Sequence, residues 1–527
     1  MTTLIPKYDI GAAGAVNRPI NFKLAEIVSV KDFGAIGDGV ADDTVAIQAA
    51  VNFASSNSFG GNVIFPSGIY KVTATINVIA SLVSLTGESR DSVQIIRTTA
   101  YGPIVIFSTT TASVLDGTGI SNIRLIDNGT NNATGTAVQV ENASRFTMQN
   151  VTIFGGTNGI ILKGAANVDI SNVQMYMQNS LGSPTGRYGI QLTNTAIPSA
   201  AVVFGSNVHL TNIDIYGGDQ YSALYSNLDD CIRVECVDGL WLSNVYAGGA
   251  AVADLHLYRT NAMYPCGNIF SSKTMLDICR GNGILIDGTQ YVTKVLFDGI
   301  ISCSGIGVVN KDGIYTSGPI DSIKFTGTVF GWKGNGIHIG NSGGTAATNI
   351  NISSMIIGAN TGYGIQIETN TGTDFLMIKG NNVGNNTAGT INDLTAVSTT
   401  TKDLEGNLSY NTPWIAYTPT IAAAGGAITG VATGLYKKVG NIVTFQAKLT
   451  TVTVDSGTGY VILGLPSNAG VVTGNTYAVS GSETTTNKAC TVRVSLGTIT
   501  CFVCNYDGTY PSAVGKSIIV SGTYEVN

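Results

Sequence analysis

At 527 residues the chain exceeds what one compact core of ordinary size holds. Its 66 glycines and only 11% charged residues, set against 44% hydrophobic residues, exclude a disordered chain and suit a strand-rich, turn-rich one. A formal net charge of −6 argues against nucleic acid, which asks for a basic stripe, and no apolar run approaches the ~18 residues of a membrane span.

The first residues, Met1-Thr-Thr-Leu-Ile-Pro6, lack the basic and apolar regions of a secretory signal. The expectation is synthesis in a host cytoplasm, with release by lysis if the protein acts outside. Residues 1–27 read as a short attachment arm for docking to another protein. Next comes Val28-Ser-Val-Lys-Asp-Phe-Gly-Ala-Ile-Gly-Asp-Gly-Val-Ala-Asp-Asp-Thr44, then Val45-Ala-Ile-Gln-Ala-Ala-Val51 and Gly61-Asn-Val-Ile-Phe-Pro-Ser-Gly-Ile-Tyr-Lys-Val72. This reads as a strand, a Gly-rich loop, one short helix and further strands. Asp42 or Asp43 can cap the helix through a side-chain oxygen, and capping is preferred to a catalytic role for the pair. Val45, Ala49 and Phe53 share one face at helical spacing. Gly60-Gly61 stops the helix, and Pro66-Ser-Gly68 makes the next turn. A lone helix before several hundred strand-rich residues can cover the open end of a stack of strands.

This N-terminal pattern resembles the cap of the pectate-lyase-like superfamily of right-handed parallel β-helices, in the form found in bacteriophage tailspikes. The resemblance implies a fold more than a reaction, because that superfamily holds hydrolases, lyases and non-enzymatic helices.

From about residue 100 to 390 one phrase recurs: a small residue, an apolar–polar–apolar run, a turn, and a second alternation ending in Asn or Gly. Gly159-Ile-Ile-Leu-Lys163 leads to Val168-Asp-Ile-Ser-Asn-Val173, and Gly189-Ile-Gln-Leu-Thr193 to Val208-His-Leu-Thr-Asn-Ile213. Cys231-Ile-Arg-Val-Glu235 leads to Leu240-Trp-Leu-Ser-Asn-Val245, and further starts follow at Asp254, Gly283, Gly313, Gly336 and Gly364. Two alternating strands per repeat and no helix predict a parallel β-solenoid whose coils stack. Alternation places Ile160, Ile190, Ile232, Leu255, Ile284, Ile337 and Ile365 inside. It leaves an outer ladder of Gln191, Arg233 with Glu235, His256 with Tyr258, Leu285 with Asp287, His338, and Gln366 with Glu368.

The texture changes near residue 410. Trp414…Tyr417-Thr-Pro419, Gly434…Tyr436-Lys-Lys-Val-Gly-Asn441 and Gly464-Leu-Pro466 resemble a C-terminal domain recurrent in phage tail fibres and spikes. Hairpin spacing there predicts a β-sandwich or jelly roll. The organisation is thus an arm at 1–27, a cap at 28–100, a parallel β-helix at 101–395, a linker at 396–415 and a β-sandwich at 416–527. The irregularly spaced cysteines are no disulfide framework, and reduced, mostly buried thiols are expected, including the Cys501-Phe-Val-Cys504 pair.

Glycosidic hydrolysis needs two carboxyl groups, one as acid and one as base or nucleophile. The outer ladder offers Glu235 and Asp287. They fall two rungs apart if Asp254 starts a rung, roughly 9–10 Å by strand spacing. That is the long end of the roughly 6.5–9.5 Å window for inversion. Asp229 and Asp230, just before the same strand, are the substitutes. Arg233, His256 and Tyr258 flank the pair as substrate contacts. Tyr221 and Tyr225 come from an aromatic-rich insertion, and Tyr264 from a second loop; both loops suit groove walls. A plain solvated ladder of unlike charges is the competing reading of these residues. A β-eliminating lyase is the competing chemistry, with Arg233, His256 and Tyr258 as cation and base. No dense acidic cluster suits Ca²⁺, so no metal or cofactor is expected. The tailspike resemblance implies a homotrimer that binds a bacterial surface polysaccharide and a phage tail or baseplate partner, or else a non-enzymatic receptor-binding spike.

Overall fold

A computed structural model describes residues 6–526 except for 25, 100–101, 110–112, 129–134, 178–185, 195–204, 218–227, 278–279, 304–309, 341–346, 369–373, 395–401, 405, 408–413, 440–441, 467–471 and 495–496. The chain divides into two compact units, Met1–Ser409 and Tyr410–Asn527.

The first unit is a parallel solenoid with three ladders per coil rather than two. One begins with Val28–Ser29 under Gly61–Phe65 and Val83–Gly87. A second begins with Asp38–Asp42 under Gly68–Val72 and Val93–Arg97. The third begins with Ile76–Val78 under Pro103–Phe107 and Thr136–Ser144. The extra face comes from asparagine. In Asn158–Tyr176, Ser206–Tyr216 and Val237–Gly248 a strand bends where Asn172, Asn212 and Asn244 take φ of 54–55°. Left-handed backbone costs most residues roughly 1–2 kcal/mol, and Asn tolerates it best after Gly. The corners stack, and Asn244 donates to Asn212 (2.8 Å) and Asn212 to Asn172 (3.1 Å). The asparagine that ends each sequence phrase is therefore a corner between two faces.

The third ladder carries the first half of each phrase. Ile160, Ile190, Ile232, Leu255, Ile284, Ile314, Ile337 and Ile365 lie in one register and are at most 1% exposed. Each burial contributes roughly 1.5–3 kcal/mol, but only once the next coil covers it, so coils hold one another. The glycine ahead of each of these residues is there for space. A Cβ at Gly159, Gly283, Gly313 or Gly336 would come within 2.5–2.7 Å of the backbone oxygen one coil on. The same column is interrupted by Cys231 and Asp254.

The helix Thr44–Ser55 fills the third side of the first coil. Its Gln48 carboxamide donates to the Asn77 carbonyl (2.9 Å) and accepts from the Asn77 N–H (2.8 Å), so it satisfies the lower edge of Ile76–Val78. Asp43 holds the N-cap position without a side-chain capping bond, and Asp42, one residue earlier, accepts from the Thr44 N–H at 3.1 Å. Asp43 instead receives the N–H groups of Ile36 (2.6 Å) and Gly37 (3.1 Å) and pins the Gly-rich loop. The buried helix face differs from the expected one. Ile47, Ala50, Val51 and Ala54 point inward, whereas Val45 is 80% and Phe53 49% exposed. The helix lies along the coil end, so its orientation follows the strands beneath it rather than its own best apolar stripe.

Among the described residues of the second unit, nine antiparallel strands form one continuous sheet. Its core includes Phe445, Leu449, Val461, Leu463, Val503, Val520 and Tyr524, drawn from both halves of the sheet order, so the sheet closes over its own inner face. Cysteines 231, 236, 266, 303, 490, 501 and 504 are free thiols, mostly buried, as expected.

Candidate functional site

The polar outer edge of the third ladder holds the residues singled out from sequence. Strand pairing sets Gln191, Arg233 and His256 side by side in one row, and Tyr258 beside Asp287 in the neighbouring row. Asp254 does begin a coil, so Glu235 and Asp287 are separated by the Tyr258 strand. The short 23-residue offset from Ile232 to Leu255 is what sets His256 directly over Arg233.

Asp230 is fully buried and organises the group. Its Oδ2 accepts from Arg233 Nη1 at 3.0 Å and meets His256 Nδ1 at 2.9 Å. The two cationic groups approach each other to 3.0 Å, and both converge on that one oxygen. His256 is 4% exposed, and its Nε2 meets Asp287 Oδ1 at 2.8 Å. Burial works against charge on this imidazole. Hydrogen bonds to Asp230 and Asp287 and their negative charge outweigh it, and the pKa stands above the ordinary 6.5. The result is a chain from a buried acid through the imidazole of His256 to Asp287, whose side chain is 28% exposed.

Arg233 also donates from Nε to Glu235 Oε1 (2.7 Å), and Gln191 Nε2 reaches the same oxygen at 3.2 Å. The guanidinium is sandwiched between the rings of Tyr188 (5.2 Å) and Tyr258 (4.2 Å). Both cations of the group are thus committed to carboxylates, three acids against two cations. A uronate arriving here would have to displace an existing partner.

Other expected residues lie elsewhere or do different work. Asp229 accepts from the N–H groups of Gly186 and Arg187 and secures the loop before the coil. Arg259 donates to the backbone carbonyls of Tyr264, Ala262 and Tyr291 and so holds its own turn. Tyr221 and Tyr225 fall outside the described residues. Asp230, Gln191 and Tyr188 matter more than their place in the sequence suggests, because Asp230 precedes the alternating run and carries no periodic signal. Among the described residues no group of His, Cys, Asp and Glu has the geometry to hold a metal ion, and no helix is long and apolar enough to cross a membrane.

Residues 27–236 match the family model for rhamnogalacturonase A/epimerase, pectate lyase-like. The mannuronan C5-epimerases AlgE3 and AlgE6 of Azotobacter vinelandii are 33% identical over 137 residues and 35% identical over 131 residues. Those stretches are 26% and 24% of this chain but only 6% and 12% of the relatives' lengths. Among solved structures the Dettilon tailspike protein superposes with a TM-score of 0.58 at 15% identity, over 97% of this chain and 96% of the tailspike. A tailspike of Escherichia coli bacteriophage HK620, solved with a pentasaccharide, gives 0.54 at 11% identity over 99% and 97%. The AlgE6 A-module gives 0.51 at 18% identity over 73% and 99%. Residues 27–236 thus resemble the pectate-lyase-like family, and the chain has the right-handed parallel β-helix fold of the solved phage tailspikes.

Proposed function

We propose that the protein is a phage tailspike, a homotrimer that binds a bacterial surface polysaccharide and cleaves it by glycosidic hydrolysis. The observation that carries this reading is the Asp230–His256–Asp287 chain set beside the Arg233–Glu235 pair on one face. Glu235 is the base. Arg233 and Gln191 both donate to Oε1, which leaves Oε2 to take a proton from the attacking water. Asp287 is the acid, protonating the leaving oxygen with a proton drawn from His256 Nε2, while buried Asp230 steadies the imidazole through Nδ1. Two strand spacings, roughly 9–10 Å, leave room for water and favour inversion at the anomeric carbon. Tyr258 and Tyr188 hold the Arg233 plane and offer ring edges to the sugar. The tailspike fold of the neighbours and the polysaccharide-acting names of the relatives support the substrate class.

Residues 1–27 dock to another tail or baseplate protein, and the second unit serves trimer registration or auxiliary sugar contact. In that unit Glu483 holds the N–H groups of Thr485 and Thr486, and Asp507 holds that of Thr509, so these acids are occupied in turns. The test is incubation with capsule and lipopolysaccharide panels and mass spectrometry of the fragments. Gain of one water per cut with an inverted anomer supports the reading. An unsaturated uronate absorbing in the ultraviolet replaces it with β-elimination, for which Tyr258 beside Arg233 would be the base. Binding without cleavage on every panel member leaves a receptor-binding spike.

A further inference from the structure

From Gly119 on, each coil passes from the first ladder into the second within one strand or across a corner of one or two residues. The longer connections fall at the other two corners: residues 217–229 run between the second ladder and the third, and residues 194–205 between the third and the first. The Asn corner and its two flanks therefore form a straight surface without insertions. The first flank carries a row of hydroxyls, Ser171, Thr211, Ser243 and Ser272, beside a band of Trp241, Phe270 and Leu296. The second flank carries Tyr246, Met275, Ile300 and, past Thr328, Ile356 in one row. Phe270 and Leu296 are each 38% exposed, Ile300 43% and Ile356 57%. Trp241 and Tyr246 share the strand Val237–Gly248, and Leu296 and Ile300 share Val292–Ser302. The apolar bands of the two flanks thus stand at the same height along the solenoid.

Exposed apolar surface of this extent marks an interaction site. A sugar does not suit it. His209 stacks on Trp241 at 4.6 Å and 5°, and Trp241 on Phe270 at 5.7 Å and 27°, so these rings cover one another's faces and turn their edges outward. A sugar needs a ring face to lie on, whereas a protein side chain packs against ring edges. That protein must offer apolar groups at matching heights. A parallel copy does so by symmetry: rotation about an axis along the solenoid, without sliding, sets Tyr246, Met275 and Ile300 of one copy level with Trp241, Phe270 and Leu296 of the next. The charges beside the band, Lys273 and Asp298, are opposite in sign and one strand apart, so the corner is neutral where copies meet. About nine strand spacings along each flank, by about five residues across it, give roughly 700 Å², near the roughly 800 Å² each partner of a stable complex buries.

We infer that copies of this chain pack through the two flanks of the Asn corner, the first flank of one copy against the second flank of the next. The inference rests on the homotrimer reading above and names its contact surface. Each copy uses one flank on each neighbour, so three close into a ring. The third ladder takes no part. Its outer rows hold Arg233, Glu235, His256, Asp287, His338 and Glu368, which would lose their water in such a contact. The candidate site therefore lies within a single subunit and faces solvent, where a polysaccharide reaches it without separating the copies.

Cross-linking of the full-length chain tests the surface. One cysteine is placed on each flank in three pairs at three heights: Phe270→Cys with Met275→Cys, Leu296→Cys with Ile300→Cys, and Asn351→Cys with Ile356→Cys. A short bis-maleimide should convert the paired variants to covalent trimers on denaturing gels. Chains with only one of the two cysteines should give none, because unlike flanks meet. The parent chain is the blank for its own cysteines, and three pairs cover the failure of any one variant to fold. The control is Leu296→Cys with Tyr315→Cys, since Tyr315 lies in the same coil on the third ladder. The inference is overturned if none of the folded pairs yields covalent trimers, or if the control pair yields as much. Light scattering on the untreated wild-type chain separates the two readings. A monomer mass refutes the oligomer itself, whereas a trimer without flank cross-links refutes this surface alone.

Discussion

The coils that carry Asp230, His256 and Asp287 and those that carry Asp312, His338 and Glu368 are built on one plan and equipped for different tasks. In both, a sheltered acid and an outer acid hold an imidazole on the same edge of the solenoid. The first adds a guanidinium and a further carboxylate, and the second adds a tyrosine packed over a glycine. A solenoid places side chains by register alone, so one coil-length pattern repeated at a distance reproduces a constellation. The residues between the repeated ones then decide what it can do.

The largest contrast should appear in turnover. Glu235→Gln and Asp287→Asn each lower cleavage by about 10²–10⁴-fold while polysaccharide binding survives. Steady-state kinetics on the purified protein check both, and near-full turnover in these variants removes the catalytic assignment.

Stability should separate the inner acids from the outer ones. Asp230→Asn leaves Arg233 and the buried His256 short of their shared carboxylate, a loss on the order of 3–5 kcal/mol. Asp287→Asn exposes its vacancy to solvent and should lower the urea midpoint far less. Equal midpoints would mean that the buried acid contributes nothing special.

Both imidazoles resist deprotonation. His256 faces Asp230, Asp287 and Arg233, and His338 faces Asp312, Glu368 and Tyr315; burial opposes their charge, and the carboxylate hydrogen bonds override it. A folded pKa above 6.5 stabilises the fold fully below about pH 6.5, and this contribution fades as pH rises through the folded values. Histidine NMR titration should place both midpoints above 6.5. Midpoints at or under 6.5 would contradict the acid–imidazolium description.

The smallest expected effect lies at the corners. Asn212→Ala forfeits two stacked hydrogen bonds and a residue suited to left-handed backbone, about 1–2 kcal/mol. Asn212→Gly keeps the backbone and loses only the bonds, so it should be the milder change in a thermal melt.

Much of this was legible in the residues themselves. Period-two alternation needs only the local backbone, so the inward isoleucine column and the outward row of Gln191, Arg233, His256, Tyr258 and Asp287 follow from spacing. The cap helix was legible for the same local reason. Its buried face was not, because Ile47 and Val51 rather than Val45 and Phe53 meet the strands beneath. The third face was hidden too, because the alternation only slips by one residue at each Asn corner and the strand runs on through it. Asp230 and Asp312 sit before the periodic run, and only the lengths of the intervening coils bring each beneath its histidine. Tertiary structure alone decided those contacts, because a hydrogen bond between residues 26 apart depends on how much chain each coil consumes.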